Sequence, residues 1–275
     1  MSDIDLTLVV TAHDETLVCG PTMRSADLAV DEARTCGYTV ETIVALDKAT
    51  PATGDYFHQP RFDHWERREM NEGDLGRVRN AIVPETKGRY IAFLDADDLF
   101  SENWLADGIA ALDAAAERGE RAIAHPELNV IFDGHKALRQ NVDSSSPLFS
   151  PHLLYVRNCY DSLCMSPREA HLAVPYAPRD IPNGLSYQDW QFAIQTLSRG
   201  WRHLVVQDTI IFKRKRDFSL VVESRNRRSI VRSLPEMAID RVRDLAPPRH
   251  RRSSDRAKRS SLRAGGTLLE LHRPS

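Results

Sequence analysis

Five mostly apolar residues, Tyr90-Ile91-Ala92-Phe93-Leu94, run without a break into Asp95-Ala96-Asp97-Asp98. A short apolar run with two aromatics reads as a strand buried on both faces, as in a parallel sheet covered by helices. Three carboxylates then arrive where the strand stops, at the carboxyl edge, where open α/β sheets bind ligands. Asp95 and Asp97 share one side of an extended chain, and a turn there would fan all three around one point. Clustered anions repel unless a cation sits among them. Mg²⁺ or Mn²⁺, which takes one or two carboxylates plus phosphate oxygens and water, suits that place. The plainer reading is local: Asp98 or Ser101 caps the helix that opens at Ser101-Glu102-Asn103-Trp104. A lone aspartate would favour the cap, whereas Asp-Ala-Asp-Asp behind such a strand favours a metal or phosphate site.

Upstream the same arrangement repeats. Leu6-Thr7-Leu8-Val9-Val10 is a β-rich run that delivers the polar loop Thr11-Ala12-His13-Asp14-Glu15, and Val40 to Leu46 is a second strand that stops at Asp47. Thr22 is a candidate cap for the helix between them, and Gly37 is placed to end it. Residues 48–72 are polar and aromatic and read as loop. A helix over 73–83 then leads into the Asp95 strand. Strand, helix, strand, helix, strand is a doubly wound α/β pattern, and its right-handed crossovers gather the loops after all three strands on one edge.

Beyond the helix carrying Leu105, Ile109 and Leu112 the pattern loosens. Residues 125–132 suggest one or two short strands, and 150–187, punctuated by prolines, read as strands and long loops laid over the ligand edge, where specificity usually lives. Order returns with a helix over 186–197, whose first turn holds Asp189; on the plain reading that carboxylate serves the helix dipole. Residues 201–206 and 209–212 read as two further strands, followed by the cations Lys213-Arg214-Lys215-Arg216, and 228–245 as a closing helix interrupted at Pro235.

The formal charge of −2 excludes a globally basic nucleic-acid binder, but it hides an asymmetry: residues 249–275 hold eight Lys/Arg against Asp255 and Glu270, net +6, leaving −8 for residues 1–248. The core of that tail, residues 249–261, lacks apolar residues that could pack and is expected to be disordered, with attraction to an anionic membrane face as its sharper use. The acidic start carries no basic leader region, no apolar run approaches a membrane span, and Cys19, Cys36, Cys159 and Cys164 lack zinc-type pairing. These features lead to the expectation of a cytoplasmic protein with reduced thiols, peripheral at a membrane if the tail binds one.

The string Gly73-Asp74-Leu75-Gly76-x-x-Arg79-Asn80, followed by Lys87-Gly88-Arg89 and the Tyr90 to Asp98 run, resembles the family-2 glycosyltransferases of GT-A type. The resemblance takes in residues 6–15, 43–47 and Tyr187-Gln188-Asp189-Trp190, and covers roughly 4–225. It implies a GT-A domain over 1–246, with a nucleotide-binding half to about 120 and an acceptor-binding half to 246, and a separate tail over 247–275. It further implies that Thr11, Glu15, Asp47, Asp74, Arg79 and Asp95 bind the nucleotide-sugar, that Asp97 is the main ligand of a divalent cation, and that Asp189 is the catalytic base. Trp190, Lys215 and Arg216 are candidates for diphosphate or acceptor contacts. Two positions depart from the family's pattern: Gln188 stands where a glutamate is usual, and Lys215-Arg216 where some members have a metal-binding histidine.

The implied activity is inverting transfer from a nucleoside-diphosphate sugar to a saccharide or lipid-linked saccharide, as in cell-surface polysaccharide or glycoconjugate synthesis. One base without a second nucleophile means one displacement and therefore one inversion. A sugar-nucleotide pyrophosphorylase would need a glycine-rich basic loop after the first strand, and residues 11–21 offer only Gly20 and neither Lys nor Arg. A non-catalytic saccharide-binding or scaffold protein on the same fold is the alternative from another class, and turnover separates it from an enzyme. Sugar, nucleotide, acceptor and oligomeric state are not legible in the string.

Overall fold

The computed structural model describes residues 3–134, 136–215, 224 and 226–245. The chain begins with β1 (Leu6–Ala12), α1 (Cys19–Thr35), β2 (Val40–Asp47), α2 (Pro51–Phe57), β3 (Glu66–Met70), α3 (Leu75–Ile82) and β4 (Tyr90–Asp95). The short β5 (Leu99–Phe100), α4 (Trp104–Glu117), β6 (Ala122–Phe132), β7 (Ala137–Gln140), β8 (Met165–Pro167), α5 (Arg168–Ala173), α6 (Gln188–Ser198) and β9 (Arg202–Arg214) follow. One mixed sheet orders them β3-β2-β1-β4-β8-β6-β9-β5, with β7 beside β6. The first four strands are parallel, as is the long β6–β9 pair, while β8 joins the two halves through short antiparallel contacts.

Alternation explains the layers. Leu8, Val10, Val44, Leu46, Ala92 and Leu94 face α1 and α4, meeting Met23, Val30, Leu105 and Ile109. Val9, Ile43, Ala45, Ile91 and Phe93 face α3, meeting Val78 and Ile82. Both faces are apolar because both are covered. A further cluster of Phe149, Tyr160, Ile194 and Leu197 holds α6 against the 148–160 segment and the chain's last described turns.

Four readings change. Residues 48–72 are not all loop: Thr50 caps α2, and Glu-Arg-Arg-Glu-Met forms the edge strand β3, parallel to β2. Charged residues suit an exposed edge, which is why no apolar run marks it. Residues 122–132 form one long strand, and 202–212 lie on one strand too, continuous through a bulge at which Asp208 takes φ +59°. Over 228–245 two 3-10 turns, Pro235–Met237 and Val242–Leu245, replace the expected helix, because Pro235 starts a turn and lacks the N–H that a longer helix would need. No helix among the described residues is long and apolar enough to cross a membrane. The 247–275 tail and Arg216 lie outside the described residues.

Candidate functional site

Parallel register sets the site. Thr11, next to last in β1, stands opposite Asp95 at the end of β4, and Ala45 on the other side leads to Asp47 two residues on. Thr11 donates its hydroxyl to Asp95 Oδ1 at 3.0 Å. Asp47 accepts the Glu72 N–H at 2.7 Å and the Gly73 N–H at 2.9 Å, which fixes the loop before α3; Gly73 turns there with φ +64°. Asp74 caps α3 by accepting the Arg77 N–H at 3.0 Å and holds Arg179 at 3.1 Å. Glu15 folds back on its own loop, accepting the His13 and Asp14 N–H groups at 2.6 and 2.9 Å.

From α3, Arg79 runs under the edge and donates to Asp95 at 2.8 Å, its guanidinium 5.1 Å from the Phe93 ring centre. Burial opposes its charge, yet Asp95 and the acids around it hold it protonated more firmly than usual. Next to it, Asn80 exchanges two hydrogen bonds with the Tyr176 backbone, at 2.7 and 2.8 Å, and so fastens the 174–178 segment over the edge.

After Asp95 the chain turns, with Ala96 donating to Thr11 O and Asp98 to Asp95 O. Asp97 is half-buried, and its carbonyl accepts from Arg214 Nε at 3.3 Å. Asp98 points inward. It accepts the Arg214 N–H at 2.7 Å and lies 3.8 Å from Lys213 Nζ, and burial, with Asp95 and Asp97 close by, pushes its carboxyl well above the ordinary range. So the three carboxylates do not converge as equals. Asp95 belongs to Arg79, Asp98 to the end of β9, and Asp97 stands between them.

Asp189 approaches from the other half of the sheet, in the first turn of α6, where Tyr187 enters the helix with φ +65°. Its Oδ2 accepts from Asn158 Nδ2 at 2.7 Å and its Oδ1 from the Trp190 N–H at 2.9 Å. Burial pushes its carboxyl up to about 6; Asp161 adds to this, while the Trp190 N–H, Lys213 and Arg79 pull the other way. Arg79 and Lys213 each act on acids of the β4 end as well as on the Asp189 side, so the two groups share one electrostatic neighbourhood. Trp190 sends its indole N–H to the Leu154 carbonyl at 3.1 Å and packs against the α6 core. Lys215 follows β9, its N–H on the Phe132 carbonyl.

Asn158, Asp161 and Lys213 are the members that sequence reasoning did not assign. Only the cation run pointed toward Lys213.

The donor chemistry at Asp97 is hard carboxylate oxygen. Among the described residues no three His, Cys, Asp or Glu side chains stand together as a protein-only metal site. A cation held here would take one or two carboxylates and complete its shell with phosphate oxygens and water.

Residues 9–141 match glycosyl transferase family 2. That match covers 133 of the 275 residues. The GT-A fold is shared with S. aureus TarS 1-349 in complex with UDP-GlcNAc, at a TM-score of 0.58 and 14% identity over 78% of this chain and 60% of that one. GalNAc-T7 with UDP, GalNAc and Mn2+ gives a TM-score of 0.56 at 14% identity over 78% and 44% of the two chains. This chain thus spans about 60% of the TarS fragment, and at this identity the likeness concerns the fold. A comparison with curated proteins found no match.

Proposed function

We propose that this family-2 chain is an inverting glycosyltransferase that moves a sugar from a nucleoside diphosphate to a hydroxyl of a saccharide or lipid-linked saccharide. The observation that carries the proposal is the pairing of a strand-end acidic turn with Asp189, a carboxylate held up to about 6 in the same electrostatic neighbourhood. A base near that value is ionised at neutral pH yet still takes a proton readily.

On this reading the loops after β1, β2 and β4 hold the nucleotide, with Thr11, Glu15, Asp47, Asp74, Arg79 and Asp95 around it, and the half over 121–246 receives the acceptor. Asp47 and Asp74 act through the backbone they order as much as through their charge. Asp97 would hold the divalent cation, Mg²⁺ or Mn²⁺, whose chemistry is to neutralise the diphosphate as it leaves. Lys215 and Arg216 follow β9 and are placed in sequence to add positive charge. Asp189 Oδ accepts the acceptor's hydroxyl proton as that oxygen attacks the anomeric carbon, the bond to the diphosphate oxygen breaks, and configuration inverts once.

The basic 249–275 segment, net +6, suits an anionic lipid face; equal binding of the full chain and of one ending at residue 246 to anionic vesicles would remove that role. The activity itself is tested by nucleoside-diphosphate release from a panel of donor sugars, with Asp189→Asn as the comparison. Turnover lost with donor binding kept supports the base, and full turnover in Asp189→Asn contradicts it.

A further inference from the structure

The loop over 158–163 carries Asn158, which reaches the first turn of α6, and Asp161, which reaches β9. Asn158 donates to Asp189 at 2.7 Å while its own Oδ1 accepts the Tyr160 N–H at 3.2 Å, so the amide has one orientation that satisfies both ends. Three residues on, Asp161 accepts from Lys213 Nζ at 2.7 Å and from the Leu163 N–H at 3.1 Å. Lys213 in turn lies 3.8 Å from Asp98. Asp161 is therefore held in a fixed place, three residues from the Asn158 that bonds Asp189 and within electrostatic reach of that carboxylate, by an ammonium that also lies beside the acidic turn after β4.

We propose that Asn158 and Asp161 are positioning residues for Asp189: Asn158 sets the orientation of its carboxylate, and Asp161, locked by Lys213, keeps a negative charge near it that strengthens it as a base. The proposal rests on the base role given above and deepens it, since nothing in the family-2 motif string requires Asn158 or Asp161.

The opposing groups come from several elements. Asp161 raises the proton affinity of Asp189, and Lys213 from β9 and Arg79 from α3 lower it. Cys164 and Tyr176 also lie within electrostatic reach of Asp189, but burial keeps the thiol up at about 12 and the phenol well above its usual value, so both stay neutral near pH 7. Asp161 is an anion there: burial pushes its carboxyl up, but the charge and hydrogen bond of Lys213 overcome this and bring it down to about 2. Like charge on a neighbour holds a proton on, and opposite charge drives it off. Asp161 and Lys213 therefore act on Asp189 with opposite sign, which a merely structural ion pair need not do.

The test needs no knowledge of the sugar. The full chain, labelled with ¹³C at aspartate Cγ, is titrated by NMR, and the Asp189 signal is identified by its loss in Asp189→Asn. In the wild type the midpoint is expected at about 6. Asp161→Asn lowers it by about one unit or more, tenfold in proton affinity, and Lys213→Gln raises it. Either single change unpairs a buried ion, so the double variant Asp161→Asn, Lys213→Gln keeps the question open to measurement: its midpoint falls, by less than in Asp161→Asn. A midpoint that does not move in Asp161→Asn, or that moves the same way in Asp161→Asn and Lys213→Gln, overturns the proposal. Turnover of Asp189→Asn reads the base role separately: shifts as expected in a chain whose Asp189→Asn still turns over would leave the electrostatic coupling and remove only its catalytic use.

Discussion

Arg79, 1% exposed, donates to Asp95 at 2.8 Å, so the acidic sheet edge carries a cation built into the helix beneath it. Removing one partner of a buried pair strands the other. Arg79→Met is expected to cost about 3 kcal/mol or more in urea unfolding, because Asp95 loses its counterion and Phe93 the guanidinium stacked on it. Arg79→Lys should recover only part, since an ammonium cannot reproduce the planar contact. A loss below about 1 kcal/mol for Arg79→Met would show that the pair is not integral to the edge.

In the proposed role of base, Asp189 has to be ionised to accept a proton. With its carboxyl at about 6, turnover should fall about tenfold per pH unit below that value and level off above it. The same shift has a stability consequence. A carboxyl whose folded value is raised above its unfolded one favours the fold at low pH, and this contribution is lost as pH rises through about 6. At pH 7 the ionised side chain opposes folding, so Asp189→Asn should unfold at higher denaturant than the wild type. Equal midpoints at pH 7 would contradict that.

Three buried histidines make the fold acid-sensitive. Burial lowers His125 and His171 to about 3, and His203 well below its ordinary value. His125 and His203 bond each other at 2.9 Å, and His203 bonds Thr196 at 2.9 Å. The unfolded chain takes protons near 6.5 that the folded one refuses, so stability is complete above that pH and declines below it toward about 3. At pH 5 each such histidine should cost roughly 2 kcal/mol. Denaturant midpoints from pH 7 to 5 test this, and His171→Phe should flatten the slope.

Two glycines in structured surroundings should respond oppositely to alanine. A Cβ on Gly88 would collide with the Thr7 backbone nitrogen and lie 2.6 Å from the Leu6 carbonyl carbon, where β1 meets β4, and backbone cannot yield cheaply. In α4, a Cβ on Gly108 would meet the flexible end of Met165, its Cε 2.7 Å away. Gly88→Ala should lower the melting temperature by several degrees or abolish folding. Gly108→Ala should fall within about 1 kcal/mol of the wild type, helix propensity offsetting the shifted methionine.

The strands that position the site were legible because β1, β2 and β4 are apolar on both faces, and their polar endings mark one edge. β3 was not, since Glu66, Arg67, Arg68 and Glu69 suit an edge and carry no apolar alternation. Nor was the continuity of β9, which depends on a bulge at Asp208. At the site, Asp95 and Asp97 stood out by their place behind a strand, whereas Asp189 at its helix start read as a partner of the helix dipole and was singled out by the family resemblance. Asn158 and Asp161 did not, because they meet Asp189 and Lys213 across 31 and 52 residues, and no local spacing encodes such a contact.

The most direct measurement is thermal unfolding of the wild type and of Asp97→Asn with UDP, GDP, dTDP or CDP, each with and without Mn²⁺. Ligand at 100 times its dissociation constant should stabilise the fold by about 2.7 kcal/mol. The account predicts that one nucleotide raises the melting temperature only when the cation is present, and that Asp97→Asn loses this rise while melting normally alone. No shift with any nucleotide, or an equal shift in Asp97→Asn, would contradict a cation-assisted donor site at the end of β4.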